Sequence, residues 1–264
     1  MKVSILTVCY QSEKYIKDNF KSVSTQTYED IEHIIIDGGS TDNTVSYIKE
    51  YSQGSENIVW ISEADNGMYD ALNKAIAAAS GDIIYCLNSD DMINDCNVIQ
   101  RVVSFMTGEA RNESSLYVGD VDFNYSSGDV SKRRAVSVTA KQIVAYGNCT
   151  FVPQPATFAF ASLYKRVGLF DTAYKIASDY DFIVRLLGEG RSVPLAFTTP
   201  KFRRHDESLT ESQSSVMGQE SEAIKSKYIT SLSIGTLSEF TMKVISSLKY
   251  IYSNPVVFFN RFSK

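Results

Sequence analysis

The sequence predicts an α/β protein built on a doubly wound, mostly parallel sheet with helices on its faces. Three observations predict it. Through residues 1–91, short apolar runs alternate with single helical stretches, the order that lays right-handed crossovers onto a parallel sheet. The run Ile83-Ile84-Tyr85-Cys86-Leu87 is apolar at every position, as a strand covered on both faces is. Three strand ends carry polar groups, Thr7-Val8-Cys9-Tyr10, Asp37-Gly38-Gly39-Ser40 and Asn88-Ser89-Asp90-Asp91. Open α/β sheets bind their ligands at such carboxyl ends.

Taken in order, residues 3–8 read as a buried strand. Residues 11–24 read as a helix with apolar positions at Tyr15, Ile16, Phe20 and Val23, and 32–36 as the second strand. Ser40 to Asp42 offer caps for a helix over 43–51. A third strand over 58–63, a helix over 68–79 and the strand 83–87 complete the half. Beyond it, 116–123 and 134–138 read as strands flanking the turn-rich Ser126-Ser127-Gly128-Asp129, a hairpin. A helix opens at Ser178-Asp179-Tyr180-Asp181, a short strand covers 196–199, and 221–232 is helical. The stretch 237–262 alternates apolar and aromatic residues with Lys243, Lys249 and Arg261, interrupted at Pro255. It reads either as a terminal helix pair packed on the core or as a basic amphipathic element lying on an anionic bilayer.

With 264 residues, 44% of them hydrophobic, the chain can bury one sizeable core. A net charge of −5 and a pI near 5.2 speak against a nucleic-acid partner, because the phosphate backbone calls for a basic surface. A nucleotide held through a metal stays open. Cys9, Cys86, Cys96 and Cys149 lack CxxC spacing and read as reduced, small residues. The chain starts on a strand without an apolar leader, and no run is long enough to span a membrane, which predicts a cytoplasmic protein.

The polar strand ends admit two readings each. Asp90 and Asp91 supply hard oxygen ligands for a divalent cation, or cap a helix. Asp37-Gly38-Gly39-Ser40 lets backbone approach a nucleotide, with Asp37 as an acceptor, or is an ordinary strand-to-helix turn. No GxGxxG follows the first strand and no GxxxxGK[ST] occurs, which excludes a dinucleotide fold and a P-loop.

Four segments in order, Ser4 to Tyr10, Ile34 to Thr44, Glu63-Ala64-Asp65-Asn66-Gly67-Met68-Tyr69-Asp70-Ala71-Leu72-Asn73-Lys74 and Gly81 to Asp91, resemble the family 2 glycosyltransferases. The resemblance implies the GT-A fold, a Rossmann-like and mostly parallel central sheet flanked by helices. It also implies a nucleotide-sugar donor, most often a UDP-sugar, a divalent metal (Mn²⁺ or Mg²⁺) and inversion at the anomeric carbon. By the same resemblance Thr7, Tyr10, Asp37 and Gly39 hold base and ribose, and Asp65, Asn73 and Lys74 lie along the nucleotide or donor sugar. Asp90 and Asp91 match the family's DxD-type element, with Asn88 where the family often has Asp. Asp91 is then the direct metal ligand, and Asp90 reaches ribose or metal.

In the second half, the acidic motif before the helix of the form Asp-x-Asp-x-x-x-Arg-Leu matches the family's general base at Asp179. An inverting displacement needs one carboxylate to take the acceptor's proton. Asp181 is the runner-up for the base, with a structural role as its main reading, and Ser178 replaces the family's usual Glu. GT-A enzymes often bring a metal ligand or pyrophosphate contact from a carboxyl-terminal loop, which assigns His205 as a metal ligand beside Arg203 and Arg204, while His33, inside a strand, is structural. The resemblance divides the chain into a catalytic domain over 1–212, with nucleotide-binding (1–91) and acceptor-binding (92–212) halves, and a carboxyl-terminal helical appendage over 213–264. It implies transfer of a hexose, Gal or Glc, from UDP to a lipid-linked (undecaprenyl-pyrophosphate) oligosaccharide in bacterial surface-polysaccharide synthesis, in peripheral contact with the cytoplasmic face of the inner membrane. Two rivals stand beside it. One is a sugar-phosphate nucleotidyltransferase, disfavoured because no Gly-rich basic loop follows the first strand; the other is a non-catalytic binding protein of the same fold.

Overall fold

The computed structural model describes residues 1–108, 111–205 and 213–253. Its first half follows the predicted alternation: β1 (Val3–Cys9), α1 (Ile16–Ser24), β2 (Ile31–Asp37), α2 (Thr44–Ser52), β3 (Ile58–Ser62), α3 (Met68–Ala78) and β4 (Ile83–Cys86). The strands lie in the order β3-β2-β1-β4, all parallel. Their carboxyl ends therefore open on one edge, where the three polar signatures gather.

The second half adds β5 (Met92–Ile93), α4 (Val98–Thr107), β6 (Leu116–Tyr125), β7 (Val130–Arg133), α5 (Ala140–Tyr146), β8 (Thr157–Phe160), α6 (Ala161–Val167), α7 (Ser178–Gly188) and β9 (Ser192–Arg204). It continues the same sheet as β4-β8-β6-β9-β5, with β7 paired to β6. β8 runs antiparallel to β4 and β6, and β9 runs parallel to β6. The sheet is thus mostly parallel, as predicted, but several elements depart from the sequence reading. The helix expected from residue 11 starts at Ile16, because Gln11 takes a left-handed φ of 51°. The hairpin's second strand falls on Val130–Arg133, not 134–138. The short strand expected over 196–199 is the middle of a thirteen-residue strand.

The core explains why β4 is central. Alternate residues of a strand face opposite sides. Ile84 and Cys86 pack with Leu6, Val8, Tyr69, Leu72 and Ala75 on one face. Ile83, Tyr85 and Leu87 pack with Val3, Ile5, Val98, Val102 and Met106 on the other. Each Val, Leu, Ile and Met side chain among them contributes about 1.5–3 kcal/mol by burial.

Two helices follow β9, α8 (Ser214–Ser231) and α9 (Thr236–Ser253). α8 is tied to the start of α7. The Glu220 carboxylate accepts the backbone N–H groups of Lys175, Ile176 and Ala177 at 2.8, 2.9 and 2.9 Å, while Lys227 and Tyr228 donate to Asp181. α9 packs on α5 through buried Ser246 and half-buried Lys249 and Tyr250. The packed reading of this segment therefore holds over the described helices. Pro255, Arg261 and the rest of the expected stretch lie outside the described residues. No described helix is long and apolar enough to cross a membrane.

Candidate active site

The turns after β1 and β2 are built on each other. Gln11 accepts the Asp42 backbone N–H at 3.1 Å and donates to Thr41 at 2.9 Å, and its own N–H donates to Ser40. These bonds fix a left-handed non-glycine residue, which costs energy unless its surroundings hold it. The next side chain back, Tyr10, is left 64% exposed, a bare aromatic face at the end of β1.

Asp37 is fully buried and its oxygens are occupied. It accepts the N–H groups of Gly39 (3.1 Å) and Ser40 (3.0 Å) and the hydroxyls of Ser40 and Ser62. Its expected contact with a base is thus corrected: Asp37 shapes the turn that presents Gly39, which sits at φ 82°. The half-buried carboxylate over this turn is Asp65. A Cβ on Gly38 would stand 2.6 Å from Asp65 Oδ2, so the glycine makes room for that acid, and Asp65 is anchored by the Gly67 N–H at 2.9 Å.

Thr7 is also corrected. It is fully buried and donates to the Leu87 carbonyl at 3.0 Å while its oxygen meets His33 Nε2 at 2.9 Å. His33 Nδ1 faces the Tyr51 hydroxyl at 3.1 Å. Burial pulls the His33 imidazole down to about 3, so it is neutral, and the chain Tyr51–His33–Thr7–Leu87 runs proton to acceptor throughout. It pins the end of β4 from inside the sheet, and His33 is structural as expected.

The Asn88–Asp91 turn is clamped from α1, where the buried Asn19 amide donates to the carbonyls of Asn88 (2.8 Å) and Asp91 (3.2 Å). Its two acids differ in access, with Asp91, the expected direct metal ligand, the buried one. Asp91 is 1% exposed, with Oδ1 accepting the Arg203 N–H at 2.8 Å and Oδ2 the Asn88 amide at 3.2 Å. Burial and the neighbouring Asp90 push its carboxyl well above the usual range. Asp90 is the accessible acid, and its Oδ2 lies 3.0 Å from His205 Nε2. His205 rests on Tyr15, with ring centroids 4.8 Å apart. Arg203 lies over the same ring and pairs with Asp18, and Arg204 lies over Phe123. Asp206 to Thr210 lie outside the described residues.

An oxygen and an imidazole nitrogen meeting at one point fit Mn²⁺ or Mg²⁺ that keeps its other positions for phosphate oxygens or water. Among the described residues no group of three such ligands occurs. Asp90 and His205 fit as a two-ligand set; Asp91 is buried and receives one N–H on each oxygen.

Asp179 opens α7. It is half-buried, accepts the Tyr180 N–H on Oδ1 at 2.8 Å, and has Cys149 Sγ 3.4 Å from Oδ2. Burial raises its carboxyl above the ordinary value, which suits a group that must accept a proton. Tyr69 of α3 reaches across to it, with its hydroxyl 3.3 Å from Asp179 Oδ1 and 2.6 Å from the Ile176 carbonyl. Asp181 is buried among Arg185 (2.8 Å), Lys227 (2.8 Å) and Tyr228 (2.9 Å). Burial pushes its carboxyl up, but these donors outweigh burial and hold it below the usual range. Its structural reading stands.

Asn73 and Lys74, expected along the nucleotide or donor sugar, are both engaged by protein partners. The Asn73 amide is closed on the Phe170 backbone, donating to its carbonyl at 3.0 Å and accepting its N–H at 2.9 Å. Lys74 is paired with Glu63 at 2.7 Å and Asp70 at 3.4 Å. α3 thus staples the donor half to the base segment through Asn73 and Tyr69. Sequence reasoning missed Tyr69, Cys149 and Glu220. Tyr69 lay inside a quoted motif; the other two carry no local signal.

The family model described as Glycosyl transferase family 2 matches residues 4–168. An uncharacterized glycosyltransferase of Mycobacterium tuberculosis (strain CDC 1551 / Oshkosh) is 33% identical over 188 residues, covering 69% of this chain and 68% of that protein. Among solved structures, S. aureus TarS 1-349 in complex with UDP aligns with a TM-score of 0.69 at 18% identity, over 96% of this chain and 72% of that one. The mannosyltransferase PcManGT from Pyrobaculum calidifontis, in complex with GDP-Man and Mn2+, gives 0.61 at 14%, over 94% and 73%. Against a longer TarS structure the chain spans 43% of the length. The structural likenesses are those of fold, the GT-A fold, and the family match covers more than half of the sequence. This chain is therefore a glycosyltransferase and belongs to glycosyl transferase family 2.

Proposed function

We propose that the enzyme moves a hexose, Gal or Glc, from a UDP-sugar to a hydroxyl of a lipid-linked oligosaccharide, with inversion at the anomeric carbon. The observation that carries this reading is Asp179, a half-buried carboxylate raised by burial, beside the Tyr69 hydroxyl that ties the donor-side helix to the Ile176 carbonyl. Asp179 takes the acceptor hydroxyl's proton. The freed oxygen attacks the anomeric carbon from the face opposite the nucleotide, and the bond to the UDP oxygen breaks. A carboxylate in this role contributes about 10²–10⁴-fold in rate. Tyr10 offers a face for the base, and Asp65, above Gly38, is placed for an N–H of the nucleotide. Asp90 and His205 would hold the divalent ion, which when bound supplies positive charge to the leaving diphosphate. Solved neighbours of the same fold are complexes with UDP, with UDP-GlcNAc, and with GDP-Man and Mn2+, which supports a nucleotide-sugar donor. Family membership favours transfer over the nucleotidyltransferase and binding-protein rivals.

The lipid-linked acceptor and the cytoplasmic face of the inner membrane fit the outer side of α9. Leu237, Phe240, Val244, Ile245, Leu248 and Tyr252 are exposed there, opposite the side packed on α5. From residue 240 to the end the sequence has Lys243, Lys249, Arg261 and Lys264 and no acid, which suits an anionic lipid surface. Flotation with phosphatidylglycerol vesicles, lost in the doubly substituted Phe240→Ser, Leu248→Ser protein, is the expected result; no flotation of the parent chain removes the membrane part of the proposal.

The donor is tested by titrating the protein with UDP, GDP and dTDP, with and without Mn²⁺. Metal-dependent binding that prefers UDP is expected. A preference for GDP would replace the donor, and absence of nucleotide binding would overturn the reading.

A further inference from the structure

We propose that the Cys149 thiol is a positioning group for Asp179: it fixes the free oxygen of the base with the weakest proton donor that could stand there. The inference rests on Asp179 as the base, and it comes from counting protons around that carboxylate. Oδ1 receives the Tyr180 N–H at 2.8 Å. Tyr69 has one hydroxyl proton and two acceptors in reach. The Ile176 carbonyl at 2.6 Å takes it in preference to Asp179 at 3.3 Å. Among the described residues that leaves Oδ2 with one side-chain donor, Cys149 at 3.4 Å, while the backbone N–H of Asp179 itself also acts on the carboxylate.

The thiol is kept in its donating form, because burial and the adjacent Asp179 both push it well above its ordinary value. A protonated thiol donates only weakly. A stronger donor at the same place would stabilise the carboxylate and make it a poorer proton acceptor, and no donor would leave the oxygen free to swing and raise its proton affinity further.

The other groups around the base do not replace it. From α3 there is Tyr69, already assigned. From β7, Arg133 donates to the Thr150 carbonyl beside Cys149 and acts on the thiol. From α8, Glu220 is bound to the backbone N–H groups of Lys175, Ile176 and Ala177, and Glu222 acts on Tyr180. On α7 itself, Asp181 is enclosed by Arg185, Lys227 and Tyr228. Cys149 is thus the side chain that sets Oδ2.

The proposal gives shifts of opposite sign for two substitutions at one position, which a loss of packing would not. Carboxyl ¹³C NMR of Asp-labelled protein, with Asp179 assigned by its absence in Asp179→Asn, reads the titration without any substrate. Cys149→Ser should move the Asp179 midpoint to lower pH and Cys149→Ala to higher pH, each by about half a unit or more. Midpoints that coincide with the parent protein, or that move in the same direction in both variants, overturn the proposal. If the alanine variant does not fold, the serine variant against the parent decides by itself. Sugar transfer retained in Asp179→Asn would instead remove the base reading and leave the titration result standing, so the two failures are separable.

Discussion

The candidate site has two pairs of near-neighbour acids, Asp90 with Asp91 and Asp179 with Asp181, and in each pair one carboxylate is sealed while the other is half-exposed. They are sealed by opposite means. Asp91 accepts its hydrogen bonds from neutral donors, a backbone N–H and the Asn88 amide, and the Arg203 guanidinium acts on it only through space. Asp181 is met directly by Arg185, Lys227 and Tyr228, which cancels its charge close to Asp179, the proposed base. A second uncompensated acid beside Asp179 would make each harder to ionise. The sealed member therefore orients its neighbour at β4 and insulates its neighbour at α7.

The largest test of this contrast is at α7. Asp179→Asn should lower turnover by about 10²–10⁴-fold with nucleotide affinity nearly unchanged, since the amide keeps the shape and loses the proton acceptor. Asp181→Asn should do the reverse. It leaves Arg185 and Lys227 facing a neutral group in a largely buried site and should cost on the order of 3 kcal/mol in chemical denaturation, while the folded fraction still turns over. If Asp181→Asn removes turnover at full stability, the division of labour at α7 is wrong.

Much of the fold was legible in the sequence, and the reason is local. β1, β2 and β4 sit inside the sheet between helical layers, so their apolar runs are long and unbroken. The second half carries no such runs. β7 alternates exposed and half-exposed residues at an edge, β8 has four residues after a turn containing Pro155, and β9 is interrupted by Pro194, Pro200 and a left-handed Ala196. The motifs named residues that the fold gathers at the carboxyl ends of the strands but did not distinguish the acids among them. Asp91 is sealed by Arg203, 112 residues further on, and Thr7 is turned inward by His33 of the neighbouring strand. Adjacent residues cannot reveal partners that only the folded sheet brings together. The family resemblance transferred motifs to positions; it could not say which oxygen each position leaves free.

At β4 the same contrast gives a smaller effect, read in nucleotide affinity. Asp90→Asn removes the accessible oxygen beside His205, and the gain in UDP affinity that Mn²⁺ provides should fall by about tenfold or more. Asp91→Asn keeps the shape of the sealed residue, and its amide oxygen can still accept the Arg203 N–H. That substitution should leave the Mn²⁺ effect largely in place and cost about 1 kcal/mol of stability through the mismatched contact with Asn88. Calorimetric titration of UDP with and without Mn²⁺ in the two variants, beside a denaturation curve, separates them. If Asp91→Asn abolishes the metal effect and Asp90→Asn does not, the buried acid must open toward the crevice when the donor binds, and the hydrogen bonds from Arg203 and Asn88 are then a resting latch and not the working geometry.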